Sequence, residues 1–285
     1  MEVQYLYDGS FAGFLTCVDT ALHRQEMPVS IAGEQDAPLS FYPEIKIDTD
    51  QAKARRVYAA LRRSSPRGAK LIAYGFLTCL PQRELLLFQL IRRIRQEGPG
   101  FLSRPSDPDV FPIRKAVRHL MGECEKLRGF VRFSEIQGVL TGEIQPKNRV
   151  LPLLKSHFCQ RLHQEQFFLY DRTHREVLLY THGQSRILPL DEFCMAGPDA
   201  QEAAFRCLWR QFFQSVAIAE RTNPRCQQTQ MPLRYRSTMT EFQTDPLPLS
   251  PSTPAAAFSA PVPPDGKSAP AKRPESLPFF PASDP

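Results

Sequence analysis

The sequence predicts an α+β fold in which a helical layer packs on a small antiparallel sheet. Between residues 129 and 190, two strand-like runs precede an amphipathic helix and two or three more follow it, which predicts a ββα-ββ unit. Ahead of this unit, residues 48–127 show helical periodicity and carry more basic than acidic residues. From about Thr244 the chain is rich in Pro, Ala and Ser, and we expect residues 244–285 to be a disordered tail. Residues 1–243 would then form a single domain.

The chain is expected to begin with a short strand and a helix. Residues 3–7 predict the strand, and Ser10 in the turn that follows is a suitable cap for a helix over residues 11–22. The stretch 27–43 is expected to be irregular because it combines an Ala-Gly pair with prolines. Residues 45–47 predict a second short strand.

Helices make up the basic layer. Asp48 or Thr49 is expected to cap the first of them, whose apolar residues recur at helical spacing. Two further helices, over residues 69–80 and 82–96, are separated by a proline. The clearest helical period in the chain runs over residues 113–127, and we expect that helix to pack in the core.

The ββα-ββ unit is built around a helix over residues 151–162. Its apolar residues recur every three or four positions and would lie on the sheet. Residues 167–172 alternate as in a half-buried strand, and residues 177–180 are continuously apolar. Residues 199–216 predict a long final helix. Its bulky apolar face, which we expect to belong to the core, consists of Phe205, Leu208, Trp209, Phe212, Phe213 and Val216.

Positive charge is concentrated in one part of the chain. Between residues 51 and 96, eleven Lys and Arg residues face a single acid, Glu84, so this segment carries +10 in a chain of net charge +6. Such an imbalance indicates a polyanionic partner, with nucleic acid as the first candidate. The alternative is a solvated helix surface rich in arginine. The arginines that would contact phosphates are Arg55, Arg56, Arg62, Arg63, Arg92 and Arg93.

A second basic segment lies near the end of the predicted domain. Residues 222–236 contain three arginines and no acid. Arginine, glutamine, asparagine and tyrosine side chains can contact phosphates and base edges. An ordered arm that wraps the domain is the alternative, and the sequence does not decide between the two. The candidate contacts are Asn223, Arg225, Gln227, Arg234 and Tyr235.

The seven cysteines indicate a reducing compartment. They are odd in number, widely scattered and placed at apolar positions of the predicted elements, which is typical of buried thiols rather than of disulfides. No apolar run reaches the roughly 18 residues of a membrane span, and the N-terminus does not resemble a secretion signal. We therefore expect a cytoplasmic protein that does not bind a membrane.

The sequence contains no motif of an established chemistry. It has no CxxC or HExxH metal pair, no glycine-rich phosphate loop and no GxSxG turn, so we expect no metal site and no cofactor. One catalytic arrangement is conceivable, with Asp171 as a base, His157 as an acid and Arg161 or Arg172 on a phosphate. The alternative is that these side chains satisfy one another structurally. The sequence leaves open whether the protein is an enzyme.

Several segments resemble a bacterial family of DNA metabolism or DNA repair proteins. In chain order they are YDGSFAGFLTCV (7–18), KLRGFVRF (126–133), LPLLKSHFCQRL (151–162), FLYDR (168–172) and NPRCQQTQMPLRY (223–235). Members of that family accompany a radical S-adenosylmethionine (radical SAM) protein similar to spore photoproduct lyase. A similar domain of unknown function is fused to uracil-DNA-glycosylase-like proteins. The resemblance therefore implies DNA as a ligand and a radical SAM protein as a partner, but it supplies no catalytic residues.

Three hypotheses follow. The first is a DNA-binding accessory protein in repair or modification that works with the radical SAM partner, with Arg132, Arg161 and Arg172 beside His157 at a local site. The second is a DNA-processing enzyme, a nuclease or a base-processing activity, centred on His157 and Asp171. The third is a scaffold that binds only the radical SAM protein.

Overall fold

The computed structural model describes residues 2–35, 37, 39–191, 193, 197–218 and 223–243. Within these residues the chain forms helices and two small sheets, so the predicted α+β class is confirmed. The tail that the sequence predicts to be disordered, residues 244–285, lies outside the described residues. None of the described helices combines the length and the apolar character that crossing a bilayer requires.

The N-terminal sheet has three parallel strands. β1 (Gln4–Tyr7) lies in the centre and pairs with β2 (Ser30–Gly33) on one side and with β3 (Glu44–Lys46) on the other. The expectation that residues 27–43 are irregular is wrong, because β2 falls within them. Only Ile31 of β2 is buried. The strand therefore lacks the alternation of apolar and polar residues by which a sequence indicates a strand.

Short polar side chains begin the first two helices. Ser10 caps α1 (Phe11–Arg24) as predicted, since its hydroxyl accepts a hydrogen bond from an amide of the first turn. α2 (Gln51–Ser64) is capped by Asp50, not by either of the two residues before it. The Asp50 carboxylate accepts hydrogen bonds from two first-turn amides, at 2.9 and 3.1 Å.

The rest of the helical layer consists of α3 (Pro66–Phe76), α4 (Arg83–Glu97) and α5 (Val110–Phe130). α3 begins three residues earlier than predicted, because the Ser65 hydroxyl accepts a hydrogen bond from the Gly68 amide and proline suits the first helical position. α5 packs against α3, α4 and α6, and its buried face follows the predicted spacing.

The second sheet has five strands in sequential order. They are β4 (Phe133–Ile136), β5 (Val139–Ile144), β6 (Phe167–Asp171), β7 (Glu176–Thr181) and β8 (Gln184–Pro189). All neighbours are antiparallel except β5 and β6, which run parallel. The parallel pair departs from the expected pattern because the predicted helix, α6 (Leu151–Arg161), lies between these strands in the chain and acts as their crossover.

Aromatic contacts join α6 to the sheet. The ring of Phe158 on α6 lies 5.4 Å from that of Phe133 on β4 and 6.5 Å from that of Phe167 on β6, both edge-on. The other side of α6 contacts α5. Buried apolar residues from both sheets and from α1 to α6 form one cluster.

The C-terminal helices lie outside this cluster, apart from Tyr235 and Met239. They are α7 (Ala200–Ser215), α8 (Pro224–Gln230) and α9 (Leu233–Arg236), and a 3-10 turn at Thr240–Phe242 follows. The prediction that the apolar face of α7 belongs to the core is wrong, since no α7 residue is buried. This helix contacts the 3-10 turn through Phe213 and Phe242, whereas Phe205, Leu208 and Phe212 are 55–59% exposed.

The difference in burial between α6 and α7 can be tested at Phe158 on α6 and Phe212 on α7. Phe158 is 3% exposed and Phe212 is 55% exposed. We expect Phe158→Ala to lower the free energy of unfolding by about 3–5 kcal/mol, because it leaves a cavity, and Phe212→Ala to change it by less than about 0.5 kcal/mol. Urea unfolding measures both. An equal loss in the two variants would contradict an exposed α7.

Candidate functional site

The outer face of α2 carries Arg55, Arg56, Arg62 and Arg63, all exposed, while the inner face packs in the core. The Arg56 guanidinium binds both carboxylate oxygens of the buried Asp19, at 3.0 and 3.1 Å. Arg56 is therefore already compensated by an internal charge. Arg62 and Arg63 form no ion pair with a described residue and remain available to an outside anion.

Arg93 on α4 holds the helical layer together. Its guanidinium contacts the carboxylates of Glu97, Asp107 and Asp109 at 2.8–3.0 Å, and it lies 4.1 Å above the ring of Phe101. The hydrogen bond to Glu97 and the other two carboxylates raise the pKa of Arg93 well above its usual value. A phosphate would have to displace these partners, so the structure gives Arg93 a structural role. Its neighbour Arg92 donates a hydrogen bond to the Met27 sulfur.

Arg132 and Arg172 line one cleft of about 350 Å³ beside β4 and β5. Arg132 is bound in this cleft by the carboxylate of Glu241, at 2.7 and 3.2 Å. Arg172 is 67% exposed and lies 3.5 Å from Glu143. The structure therefore brings these two predicted residues together, although each faces a carboxylate.

The structure does not support a catalytic pair of His157 and Asp171. Asp171 is fully buried, and its carboxylate accepts hydrogen bonds from the amides of Thr173 and His174 and contacts His174 Nδ1 at 2.7 Å. These contacts close the turn between β6 and β7. His157 instead packs edge-on against Phe158, near Arg128 of α5.

The environment of His157 also disfavours its predicted role as the acid. Burial lowers the pKa of His157, and the positive charges of Arg128 and Arg161 lower it further. A lowered pKa favours the neutral imidazole, which is a much weaker acid than the imidazolium. Arg161 is exposed at the end of α6. The alternative in which these groups have structural roles fits the contacts of Asp171.

The C-terminal segment of the described chain is an ordered arm. Asn223 caps α8 by accepting a hydrogen bond from the Cys226 amide at 3.0 Å, and Arg225 and Gln227 are exposed on that helix. Tyr235 is buried against Phe130, with ring centroids 5.5 Å apart, and is a core residue rather than a surface contact.

A basic cleft that the sequence did not predict runs along α5. It has a volume of about 720 Å³ and lies between α5, the turn after α3 and the segment 147–148. Its basic residues come from α5, from this segment and from the arm, and only one carboxylate, that of Glu123, lines it. The basic residues are Lys115, Arg118, His119, Lys126, Lys147 and Arg234. Among the described residues, no carboxylate forms an ion pair with any of the three lysines or with Arg118.

Glu123 joins the segments that form this cleft. Its carboxylate is 3% exposed and accepts hydrogen bonds from the amides of Lys147 and Asn148, both at 3.0 Å, from the Asn148 side chain at 2.7 Å and from Arg234 at 2.8 Å. The side-chain oxygen of Asn148, Oδ1, in turn accepts a hydrogen bond from the Cys79 amide at 3.0 Å. Glu123 is thus occupied by its own neighbours, and the charges of the other cations in the cleft remain uncompensated.

Part of the cleft could have been found in the sequence. Lys115, Arg118, Gly122 and Lys126 share one face of α5, opposite its apolar face, and that stripe carries no acid. The prediction for this helix concerned only its packing in the core. The facing wall depends on contacts between residues far apart in the chain, which periodicity does not reveal.

Metal ligands and reactive thiols do not form a site. In the described ranges, no group of three or more His, Cys, Asp or Glu side chains is placed to hold a metal ion. Cys17 and Cys124 are buried as expected, and burial raises the pKa of each thiol to about 12. Cys159 is half-buried, whereas Cys79, Cys207 and Cys226 are exposed, contrary to expectation. Cys194 lies outside the described residues.

Comparison with known proteins gives one match. The model of a domain of unknown function, DUF4130, matches residues 81–241, which run from just before α4 to the 3-10 turn. The match includes α5, the segment 147–148 and the arm, and it excludes α2. No curated protein and no solved structure matches the chain.

Substitutions of Glu123 and Glu125 on α5 test whether Glu123 joins the segments that form the cleft. Glu123→Ala leaves Arg234 and two amides without their buried partner, and we expect a loss of about 3–5 kcal/mol in the free energy of unfolding. Glu125→Ala removes only an exposed ion pair with Arg128 and should cost less than about 1 kcal/mol. Urea unfolding of both variants measures the difference, and equal costs would contradict the assigned role of Glu123.

Proposed function

Since this chain belongs to the DUF4130 family, a domain of unknown function, we propose that it is a nucleic-acid-binding protein that acts in DNA repair or DNA metabolism. The observation that supports this proposal best is the α5 cleft, whose lysines and Arg118 lack carboxylate partners among the described residues. Groups of uncompensated cations in a concave surface attract polyanions.

The dimensions of the basic stripe suit a nucleic-acid backbone. Lys115 and Lys126 are eleven positions apart on one helix, which corresponds to about 17 Å along its axis. A strand of nucleic acid carries one phosphate per roughly 3.4 Å of helix axis. The stripe is therefore long enough to contact several successive phosphates. A single small anion would not need a stripe of this length.

The arginines on α2 form a secondary surface in this proposal. Arg62 and Arg63 are exposed and lie outside the family-matched residues. We assign them additional phosphate contacts, as we do the exposed Arg161 and Arg225. Arg56 and Arg93 are left out because their carboxylate partners already compensate them.

An accessory role beside a radical SAM protein is part of the proposal and rests on the resemblance of the sequence segments. A scaffold that binds only protein is the second candidate, and the α7 face favours it. Phe205, Leu208, Trp209 and Phe212 are 40–59% exposed along one helix, and large exposed apolar patches are typical of protein contacts. The DNA-processing enzyme has no comparable support, since His157 and Asp171 lie in separate environments.

We propose a cytoplasmic location. Six cysteines have free thiols in the described part of the chain. Exposed free thiols such as Cys79 persist in reducing compartments.

Removal of cations from the cleft tests the proposal. We expect the double variant Lys115→Ala, Lys126→Ala to bind DNA roughly tenfold more weakly, equivalent to about 1.4 kcal/mol. The slope of log affinity against log salt should fall by about 1.4 to 1.8, because two phosphate contacts are lost. Fluorescence anisotropy with labelled DNA at several salt concentrations measures both quantities.

A matched control removes two lysines that have carboxylate partners. Lys46 and Lys53 are exposed and form ion pairs with Glu34 and Asp50. The variant Lys46→Ala, Lys53→Ala should retain wild-type affinity and salt slope. Absence of DNA binding by the wild type, together with capture of a radical SAM protein, would favour the scaffold instead.

A further inference from the structure

We infer that the α5 cleft binds a single strand of nucleic acid, with an unpaired base stacked on Phe111. This inference rests on the proposed function and specifies the form of its ligand. It follows from three features of the cleft, namely its concave shape, an exposed aromatic ring at one end and a glycine in its lining.

The basic face of α5 lines a concave cleft, and this geometry favours a single strand over a duplex. A helix that reads a duplex must project into the major groove, which is about 12 Å wide. The basic face of α5 instead shares its cleft of about 720 Å³ with Leu80 and Pro81 of the turn after α3 and with Lys147 and Asn148. A concave surface of this kind favours a narrow, flexible chain over a duplex.

One end of the cleft is apolar. Phe111, in the first turn of α5, is 55% exposed and lines the cleft together with Leu80, Pro81 and Pro112. Its ring makes no aromatic contact with another described residue. An exposed ring beside cations is the combination by which proteins hold unpaired bases, because the base stacks on the ring while the cations contact the backbone.

The backbone that carries Phe111 is fixed. Its amide donates to the Asp107 carbonyl at 2.8 Å, and the buried Asp107 carboxylate accepts hydrogen bonds from Arg93 and from the amides of Asp109 and Val110. The ion pairs of Arg93 thus hold the first turn of α5 in place, so that the Phe111 ring has a defined position at the cleft.

Gly122 lines the cleft, eleven positions after Phe111. A β-carbon added there would meet no atom within 4 Å, so packing inside the protein does not require glycine. Glycine inside a helix is destabilising relative to alanine. Close approach of a ligand backbone would explain a glycine here, because a strand bound along the stripe would pass this position between Arg118 and Lys126.

Phe111→Ala separates base stacking from phosphate contact. Anisotropy of a labelled twelve-nucleotide oligo-dT and of a duplex of equal length is measured with the full chain. We expect the wild type to bind the single strand at least tenfold more tightly than the duplex. Phe111→Ala should weaken single-strand binding about 5- to 100-fold, leave the salt slope unchanged and have no effect on the duplex. Phe111→Trp should retain single-strand affinity.

Two controls accompany this variant. Phe212→Ala removes another exposed phenylalanine, on α7, and should leave binding unchanged. Gly122→Val should weaken single-strand binding. It should lower the urea midpoint by no more than the same substitution does at another exposed position of a helix. Equal affinity for the two DNA forms, or an unaltered affinity in Phe111→Ala, would overturn the inference while leaving the proposed function intact. If neither form binds to the wild type, the proposed function fails as well.

Discussion

A buried carboxylate holds together the part of the molecule to which we assign function. Glu123 is placed in the interior by α5, and an isolated charge there would be unstable. It is compensated by amides of the segment 147–148 and by Arg234 of the arm, so three distant parts of the chain must meet at one point. The walls of the cleft are a consequence of this requirement, and the lysines that line them have no carboxylate partner among the described residues.

The arginines fall into two groups, according to whether they bind a carboxylate of the protein. Arg56, Arg93, Arg132 and Arg234 each bind a buried or half-buried carboxylate, and they stabilise contacts between elements. The cations without a carboxylate partner among the described residues include Lys115, Arg118 and Lys126 on α5, which lie beyond the segment that the sequence count singles out. Charge along the chain indicated the class of partner, but the pairing of charges in space decides where that partner would bind.

Local patterns predicted much of the fold. The periodicity of α5 and α6, the strand β6 and the Ser10 cap depend on neighbouring residues, and the structure confirms them, although β6 is buried on both faces rather than on one. β2, the parallel pairing of β5 with β6 and the exposure of α7 depend on which elements meet, which no local pattern contains. The cleft was missed for the same reason. Its α5 stripe is visible in the sequence, whereas Asn148 and Arg234 reach it only through the Glu123 junction.

Photochemical cross-linking locates the nucleic-acid contact without altering the protein. An oligonucleotide that carries 4-thiothymidine is irradiated with the full chain, and the linked peptides are identified by mass spectrometry. The account predicts cross-links within residues 111–126 of α5 and at Lys147, suppressed by high salt. Cross-links confined to α2 or α7, with none on α5, would contradict it.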